Sequence, residues 1–428
     1  MLKKIFILFI SISLLSLYWF LQPRDSISIW QGYTSENQTS FNILVSKNKN
    51  FSYFLNNQTP LNPELKREFS SLNLYQIKLA NLNPQKTYQL TIKDNHLNII
   101  AEKKFQTLSL NQTGFTFAVA SCMDDKWTNQ HIWEELLSFQ PDMIFLIGDV
   151  VYADEYIPEV SFSNLSRRYL ETLQTLPLYK TDQLIPILAI WDDHDYGMNN
   201  GHGNFKYKKE MTKLFRDFFP LPAKHPHLSK GPGISFVLKT KKQHFLFTDG
   251  RSFQSPPQSK NPSLWGKEQE SWILQNISNP TWIISGGQIL GRHHRFESFE
   301  TGFPKNFKVM MNRIMAEKNP VFFLSGDRHL SELLKIDKTK ESWAKYNTYE
   351  LTTSPIHAKT YPKPPDFVLG PRHIHHVPNK LNYAIVNSHI NEETWNVQLT
   401  VYGLSKQQLF SENLILKKQS DIHFNKNK

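Results

Sequence analysis

Ile144-Phe145-Leu146-Ile147-Gly148-Asp149-Val150-Val151-Tyr152 holds four bulky apolar residues in unbroken succession, then a glycine, a carboxylate and a phenol. A run so short and continuous has the pattern of a strand buried on both faces, as the parallel strands of α/β proteins are. Three further stretches repeat the design. Phe117-Ala118-Val119-Ala120 runs into Ser121-Cys122, Ile187-Leu188-Ala189-Ile190 into Trp191-Asp192-Asp193-His194-Asp195, and Val321-Phe322-Phe323-Leu324 into Ser325-Gly326-Asp327-Arg328-His329. In an open α/β sheet, sites form beyond the carboxyl ends of the strands. Strand ends carrying Cys122, Asp149, Tyr152, Asp193, His194, Asp327 and His329 therefore converge on one place. Their chemistry is that of a multinuclear metal site.

Outward from these strands the rhythm is strand, helix, strand. Roughly helical apolar spacing predicts helices over 128–139, 163–176, 206–219, 266–277 and 305–317. Further strands are expected at 234–238, 244–248, 281–285, 332–336, 346–351, 383–386 and 395–402, so that a second sheet packs on the first. Residues 26–106 differ. Short alternating segments such as Phe41-Asn42-Ile43-Leu44-Val45 and Tyr88-Gln89-Leu90-Thr91-Ile92, separated by Asn, Gly and Pro, predict a β-sandwich over 26–108. Leu82-Asn83-Pro84 followed by Tyr88 resembles the corner of a fibronectin type III domain, where a tyrosine hydroxyl ties back to the preceding turn. The catalytic unit is expected over 114–416, and residues 417–428 read as a polar tail. Residues 359–380, dense in Pro and His, read as a surface loop, with His373-Ile374-His375-His376 solvated.

The chain ends and the totals bound its setting. Met1-Leu2-Lys3-Lys4 precedes an almost wholly apolar stretch to Leu21, so residues 1–22 read as a signal peptide or a membrane anchor. No small-x-small cleavage site precedes Gln22-Pro23. Lys3 and Lys4 hold that end in the cytoplasm and place the body outside it, secreted, periplasmic or anchored in the envelope. A single cysteine excludes an intrachain disulfide. Thirty Phe, sixteen Tyr and ten Trp supply a large core, and a net charge of +11 favours anionic partners. Its lysines are scattered and no recognition helix or RNA-binding motif accompanies them, so nucleic acid is not the expected partner. Nothing in the sequence calls for a protein partner.

Carboxylates, imidazoles and glycine turns explain why cations fit. Glycine lets the chain turn tightly off a strand, and Asp or His from separate strands holds ligands at fixed separation. Asp192 to Asn200 packs three carboxylates, one imidazole and two amides into nine positions, a costly repulsion that a cation relieves. Cys122 alone would read as a small buried hydrophobe. At the polar end of a strand, beside Tyr152, it offers a thiolate with a phenolate, donors that suit a trivalent or transition metal. His194 could protonate a leaving alkoxide or stabilise the transferring group. Arg292 and Arg295, in Arg292-His293-His294-Arg295, either line the mouth of the site and attract phosphate or form an exposed basic turn.

Ala120-Ser121-Cys122, Gly148-Asp149-Val150-Val151-Tyr152-Ala153-Asp154, Trp191-Asp192-Asp193-His194-Asp195-Tyr196-Gly197 with Asn199-Asn200, Asp249-Gly250-Arg251, Gly286-Gly287-Gln288 and Ser325-Gly326-Asp327-Arg328-His329 together resemble the alkaline phosphatase D (PhoD-like) family of metallophosphoesterases. The resemblance covers about 115–355. It implies a four-layer α-β-β-α core behind a small fibronectin III-like sandwich, and hydrolysis of phosphate monoesters or diesters, phospholipid head groups among them, by metal-bound hydroxide. The site it implies holds ferric iron with calcium, another divalent metal being an alternative. By position, Cys122, Asp149, Tyr152 and His329 would hold iron. Asp149 would bridge to calcium, with Asp327 and Asp193 as companions, and His194 would contact the phosphate. Asp154, Asn199 and Asn200 match family positions, of which Asn199 and Asn200 are expected to bind substrate. Arg251 matches a family arginine, open between pairing with phosphate and a structural ion pair. Two departures stand out. Lys3-Lys4 replaces the twin-arginine signal of the founding type, and Ser121-Cys122-Met123 replaces the Asp-x-His of the wider superfamily, so a zinc or manganese pair is not expected. The other reading is a surface-anchored, metal-dependent binding module with a vestigial hydrolase site.

Overall fold

The computed structural model describes residues 27–256, 258–292, 298–361 and 369–417. The apolar stretch 1–22, the tail beyond 417 and His293, His294 and Arg295 lie outside the described residues. Among the described residues no helix is long and apolar enough to cross a membrane.

Two sheets carry the strand ends singled out above. The six-stranded sheet runs in the order Ile187–Ile190, Met143–Ile147, Gly114–Ala120, Tyr383–Ile390, Thr394–Tyr402, Gln408–Lys417. Its first three strands are parallel, with Phe145 between Val119 and Leu188, and the remainder is antiparallel. The eight-stranded sheet runs Leu228–Lys230, Phe236–Lys239, His244–Phe247, Thr281–Ile284, Val321–Ser325, Thr348–Thr353, Leu330–Ile336, His373–Pro378. Here the parallel block spans His244–Phe247 to Thr348–Thr353.

Strand alternation divides the core. Phe245, Phe247, Trp282, Ile284, Phe322 and Leu324 share a cluster with Phe117 and Phe145 of the six-stranded sheet, while Leu246, Ile283, Val321 and Phe323 point the other way. Aromatic edges join the two sheets: Phe117 meets Trp282 at 5.1 Å between ring centroids and Phe145 meets Phe247 at the same distance. On the far side of the eight-stranded sheet, Ile273 of the helix Gly266–Gln275 and Phe307, Met310, Met311 and Ile314 of the helix Pro304–Met315 fill the second cluster. The helices Ile132–Leu137 and Phe162–Thr175 pack on the six-stranded sheet through Trp133, Leu136, Leu165, Tyr169 and Leu173.

Ahead of these lie two four-stranded antiparallel sheets, Ser28–Thr34, Thr39–Ser46, Leu72–Leu79, Glu64–Glu68 and Thr59–Leu61, Ser52–Leu55, Thr87–Lys93, Ile99–Gln106. They face each other across Ile29, Phe41, Ile43, Ile77, Tyr53, Leu90, Ile92 and Phe105. The Tyr88 hydroxyl accepts the Asn83 N–H at 2.8 Å, the tie expected of that corner. Residues 128–139 form a shorter helix than expected, Ile132–Leu137, because Asn129 sits at φ 66°, outside helical space. Residues 359–380 are not simply a loop: His373–Pro378 is an edge strand, antiparallel to Leu330–Ile336. Lys417, read as the first residue of the tail, closes the strand Gln408–Lys417.

Candidate metal centre

Cys122, Asp149, Asp327 and His329 all follow parallel strands, and all four have positive φ, 54°, 50°, 67° and 52°. Left-handed backbone is uncommon for residues other than glycine, and its concentration at four residues beyond three strand ends marks a place where the fold over-determines geometry. Gly148, at φ 102°, makes the approach possible. A Cβ there would stand 2.8 Å from Asp192 Cβ and 3.1 Å from Gly286 Cα, so no larger residue lets the three strand ends close up.

The donors form three groups, each with ligand atoms within 4.8 Å of one another: Cys122, Asp149 and His329; Asp149, Asp193 and His194; Asp192, Asp193 and Asp327. Asp149 joins the first group to the second and Asp193 the second to the third. Cys122 Sγ lies 3.4 Å from Asp149 Oδ2 and accepts the Ser354 hydroxyl at 3.0 Å. Tyr152 Oη is 3.3 Å from His329 Nε2. The His329 Nδ1 faces the Lys359 carbonyl, which can only accept, so Nδ1 carries the hydrogen and Nε2 presents its lone pair to the site. Above them opens a cleft of about 590 Å³ lined by Asp149, Tyr152, Asp193, His194, Asn199, Asp327, Arg328 and His329, with Trp127, Tyr156, Lys359 and Tyr361 also on its walls.

Supporting contacts fix the charged groups. His194 stacks on the Tyr152 ring at 4.3 Å and its Nδ1 meets Asp154 Oδ1 at 2.7 Å. The Asp193 carboxylate accepts the N–H groups of His194 at 3.0 Å and Asn200 at 2.7 Å. Asp195 belongs to none of these donor groups; it accepts from Val151 N at 2.7 Å and Asp192 N at 3.0 Å, tying two strand ends together.

Burial raises the Asp149 carboxyl, the Cys122 thiol and the Tyr152 phenol well above their ordinary pKa values, and neighbouring negative groups add to the rise in each. Burial lowers His329 to about 4, leaving it neutral at physiological pH. For His194 burial works downward, but the Asp149 charge and the Asp154 hydrogen bond outweigh it and raise the imidazole to about 11. Such a set of sequestered acids with so few counter-charges is what a cation reverses, since a nearby metal charge favours the ionised thiol, phenol and carboxyl. The buried Asp192 Oδ2, which has no hydrogen-bond partner among the described residues, belongs to the third donor group and fits the same explanation.

The remaining sequence candidates fall elsewhere. Arg251 donates from Nε to Asp192 Oδ1 at 2.5 Å, with Nη2 3.7 Å from Asp193 Oδ2, and is not among the residues lining the cleft. Of its two readings this is the geometry of an ion pair, but not the local one within Asp249-Gly250-Arg251: the partners are Asp192 and Asp193, and Asp249 Oδ1 accepts the Arg251 backbone N–H at 3.1 Å. Arg292 is not on the cleft wall either; its side chain is 60% exposed and lies 3.4 Å from Glu341. Asn199 reaches the cleft, while its N–H donates to Asp154 Oδ2 at 2.5 Å; Asn200 acts on Asp193 through its own backbone. Asp192 as a donor, Ser354 against the thiol, and Arg328, Lys359, Trp127, Tyr156 and Tyr361 on the walls were not singled out from the sequence. Only Asp192 and Arg328 carried a signal there, lying inside quoted motifs.

The sequence pattern of the PhoD-like phosphatase family matches residues 117–400. Alkaline phosphatase D of Bacillus subtilis (strain 168) is 22% identical over 314 residues, 60% of this chain and 53% of that protein, so the chain spans about half the length of this curated relative. Among solved structures, one titled "Structure of PhoD" superposes with a TM-score of 0.68 at 16% identity, covering 90% of this chain and 91% of that one, a likeness of fold. With the family pattern running through every strand end that supplies a donor, the chain belongs to the PhoD-like phosphatase family.

Proposed function

We propose that the chain is a metal-dependent phosphoesterase that hydrolyses phosphate monoesters, diesters or both outside the cytoplasm. The observation that carries this reading is the unbroken chain of three donor groups, sharing Asp149 and Asp193, on the floor of one cleft. Cys122, Asp149, Tyr152 and His329 would hold ferric iron; Asp149, Asp193 and Asp327 would hold calcium. Bound cations supply positive charge against the phosphoryl oxygens and acidify a water enough for it to attack phosphorus.

The chain's own residues do the rest. His194, held by Asp154, lines the cleft and would contact a phosphoryl or leaving oxygen there. Arg328 and Lys359 line the same cleft and favour an anionic ester over a neutral one. Arg251 acts one step back, keeping Asp192 and Asp193 in place. The sheets and helices fit the four-layer α-β-β-α core with a fibronectin III-like sandwich over 26–108 and a catalytic unit over 114–416. The apolar stretch 1–22 behind Lys3-Lys4 supports export or anchoring to a membrane.

Purified full chain assayed on p-nitrophenyl phosphate and bis(p-nitrophenyl) phosphate tests the reading. Hydrolysis of at least one, lost in Asp149→Asn, is expected. A folded protein replete with iron and calcium that turns over neither ester contradicts it.

A further inference from the structure

Outside the cleft, the edge strand His373–Pro378 pairs with Leu330–Ile336 in an irregular register: His376 opposite Glu332, His375 opposite Leu333, His373 opposite Leu334. Ile374 is therefore the extra residue of a bulge. In a regular strand His373 and His376, three positions apart, would face opposite sides of the sheet. The bulge turns both onto the face that carries Glu332.

His373 Nε2 then lies 3.1 Å and His376 Nδ1 3.4 Å from the same Glu332 oxygen, Oε2, and the three ligand atoms lie within 4.8 Å of one another. Donors about 2.0–2.1 Å from a tetrahedral zinc ion stand roughly 3.3 Å apart, so the two nitrogen–oxygen separations are already those of a coordination shell. The Glu332 side chain is fully buried, and those of His373 and His376 are 5% and 9% exposed. Outer contacts orient the donors as metal ligands are oriented. In the tautomer that leaves Nε2 free to ligate, the His373 Nδ1–H donates to the Gly370 carbonyl at 3.1 Å, and the other Glu332 oxygen accepts the Gln288 amide.

We infer that Glu332, His373 and His376 form a second metal site, separate from the cleft, for a divalent transition-metal ion of the zinc class. Two imidazole nitrogens and one carboxylate oxygen suit zinc better than calcium or magnesium, which take oxygen ligands. Occupancy clamps the edge strand to its neighbour. The competing account is a pair of histidine–glutamate ion pairs without a metal.

The two accounts separate in the full chain, stripped of metal, titrated with zinc and dialysed. Elemental analysis should find one zinc fewer per chain in the His373→Gln/His376→Gln double variant than in the parent, and zinc should raise the parent's unfolding temperature more than the variant's. Equal zinc content in the two overturns the site. If the double variant does not fold, anomalous diffraction at the zinc edge from crystals of the parent decides: a peak among the three side chains supports the site, and its absence overturns it.

Discussion

Asp149 belongs to two donor groups at once, so its replacement should be felt by every cation in the cleft. Asp149→Asn should lower kcat/KM by at least about 10²- to 10³-fold while the protein remains folded by circular dichroism. Asp154 is a positioning residue: it touches His194, not the substrate. Asp154→Asn should cost about 10- to 100-fold in kcat, and it should also move a titration. In the metal-free protein His194 is raised above its ordinary value, so its stabilising contribution is complete below about 6.5 and is lost as pH rises through about 11. Removing Asp154 should bring that loss to lower pH, read by following the His194 imidazole by NMR in the two proteins. At this scale most donors were legible, since Cys122, Asp149, Asp327 and His329 each sit within a few residues of an apolar run. An ion pair at Arg251 was one of its two readings, but its partner Asp192 was not legible, because the two lie 59 positions apart in sequence.

The helix Phe162–Thr175 buttresses the cleft from behind through a buried network. Arg168 donates to Asp125 Oδ1 and Glu171 Oε2, each at 2.5 Å, and Thr172 donates to Asp125 at 3.0 Å, with the Arg168 side chain wholly buried. Asp125→Ala leaves that guanidinium with Glu171 as its remaining carboxylate and should cost about 1–3 kcal/mol in urea unfolding. Burial pushes the Asp125 carboxyl upward, but Arg168 more than offsets it and holds the group below its ordinary value. The stability from this pair is therefore present above about pH 4 and should fade as pH falls through the depressed value, a dependence absent in the variant. This helix was legible to within a residue because Leu165, Tyr169 and Leu173 repeat at helical spacing. The edge strand His373–Pro378 was not, since its pairing rests on a bulge and on polar side chains that leave no apolar alternation to read.

Across the whole molecule, the sandwich is joined to the larger core by Trp30, whose Nε1 donates to the Phe218 carbonyl at 2.9 Å and whose ring packs on Tyr179 and Phe218. Trp30→Ala should cost about 3–5 kcal/mol in unfolding while the hydrolysis rate per folded molecule stays unchanged, checked by calorimetry beside the ester assay. Apart from Leu228–Lys230, His373–Pro378 and Gln408–Lys417, the strands of both sheets were legible from short apolar runs. Their order was not: Tyr383–Ile390 lies beside Gly114–Ala120, and a partner so remote leaves no local pattern.

The proposed function rests on a set of acids, a thiol and an imidazole gathered from separate strands, which would hold cations for the hydrolysis of a phosphate ester. The most direct test is p-nitrophenyl phosphate hydrolysis by the full chain before chelation, after exhaustive chelation and after readdition of iron and calcium. The account predicts activity that disappears with the metals and returns with them. An unchanged rate in protein shown by elemental analysis to be metal-free would contradict it.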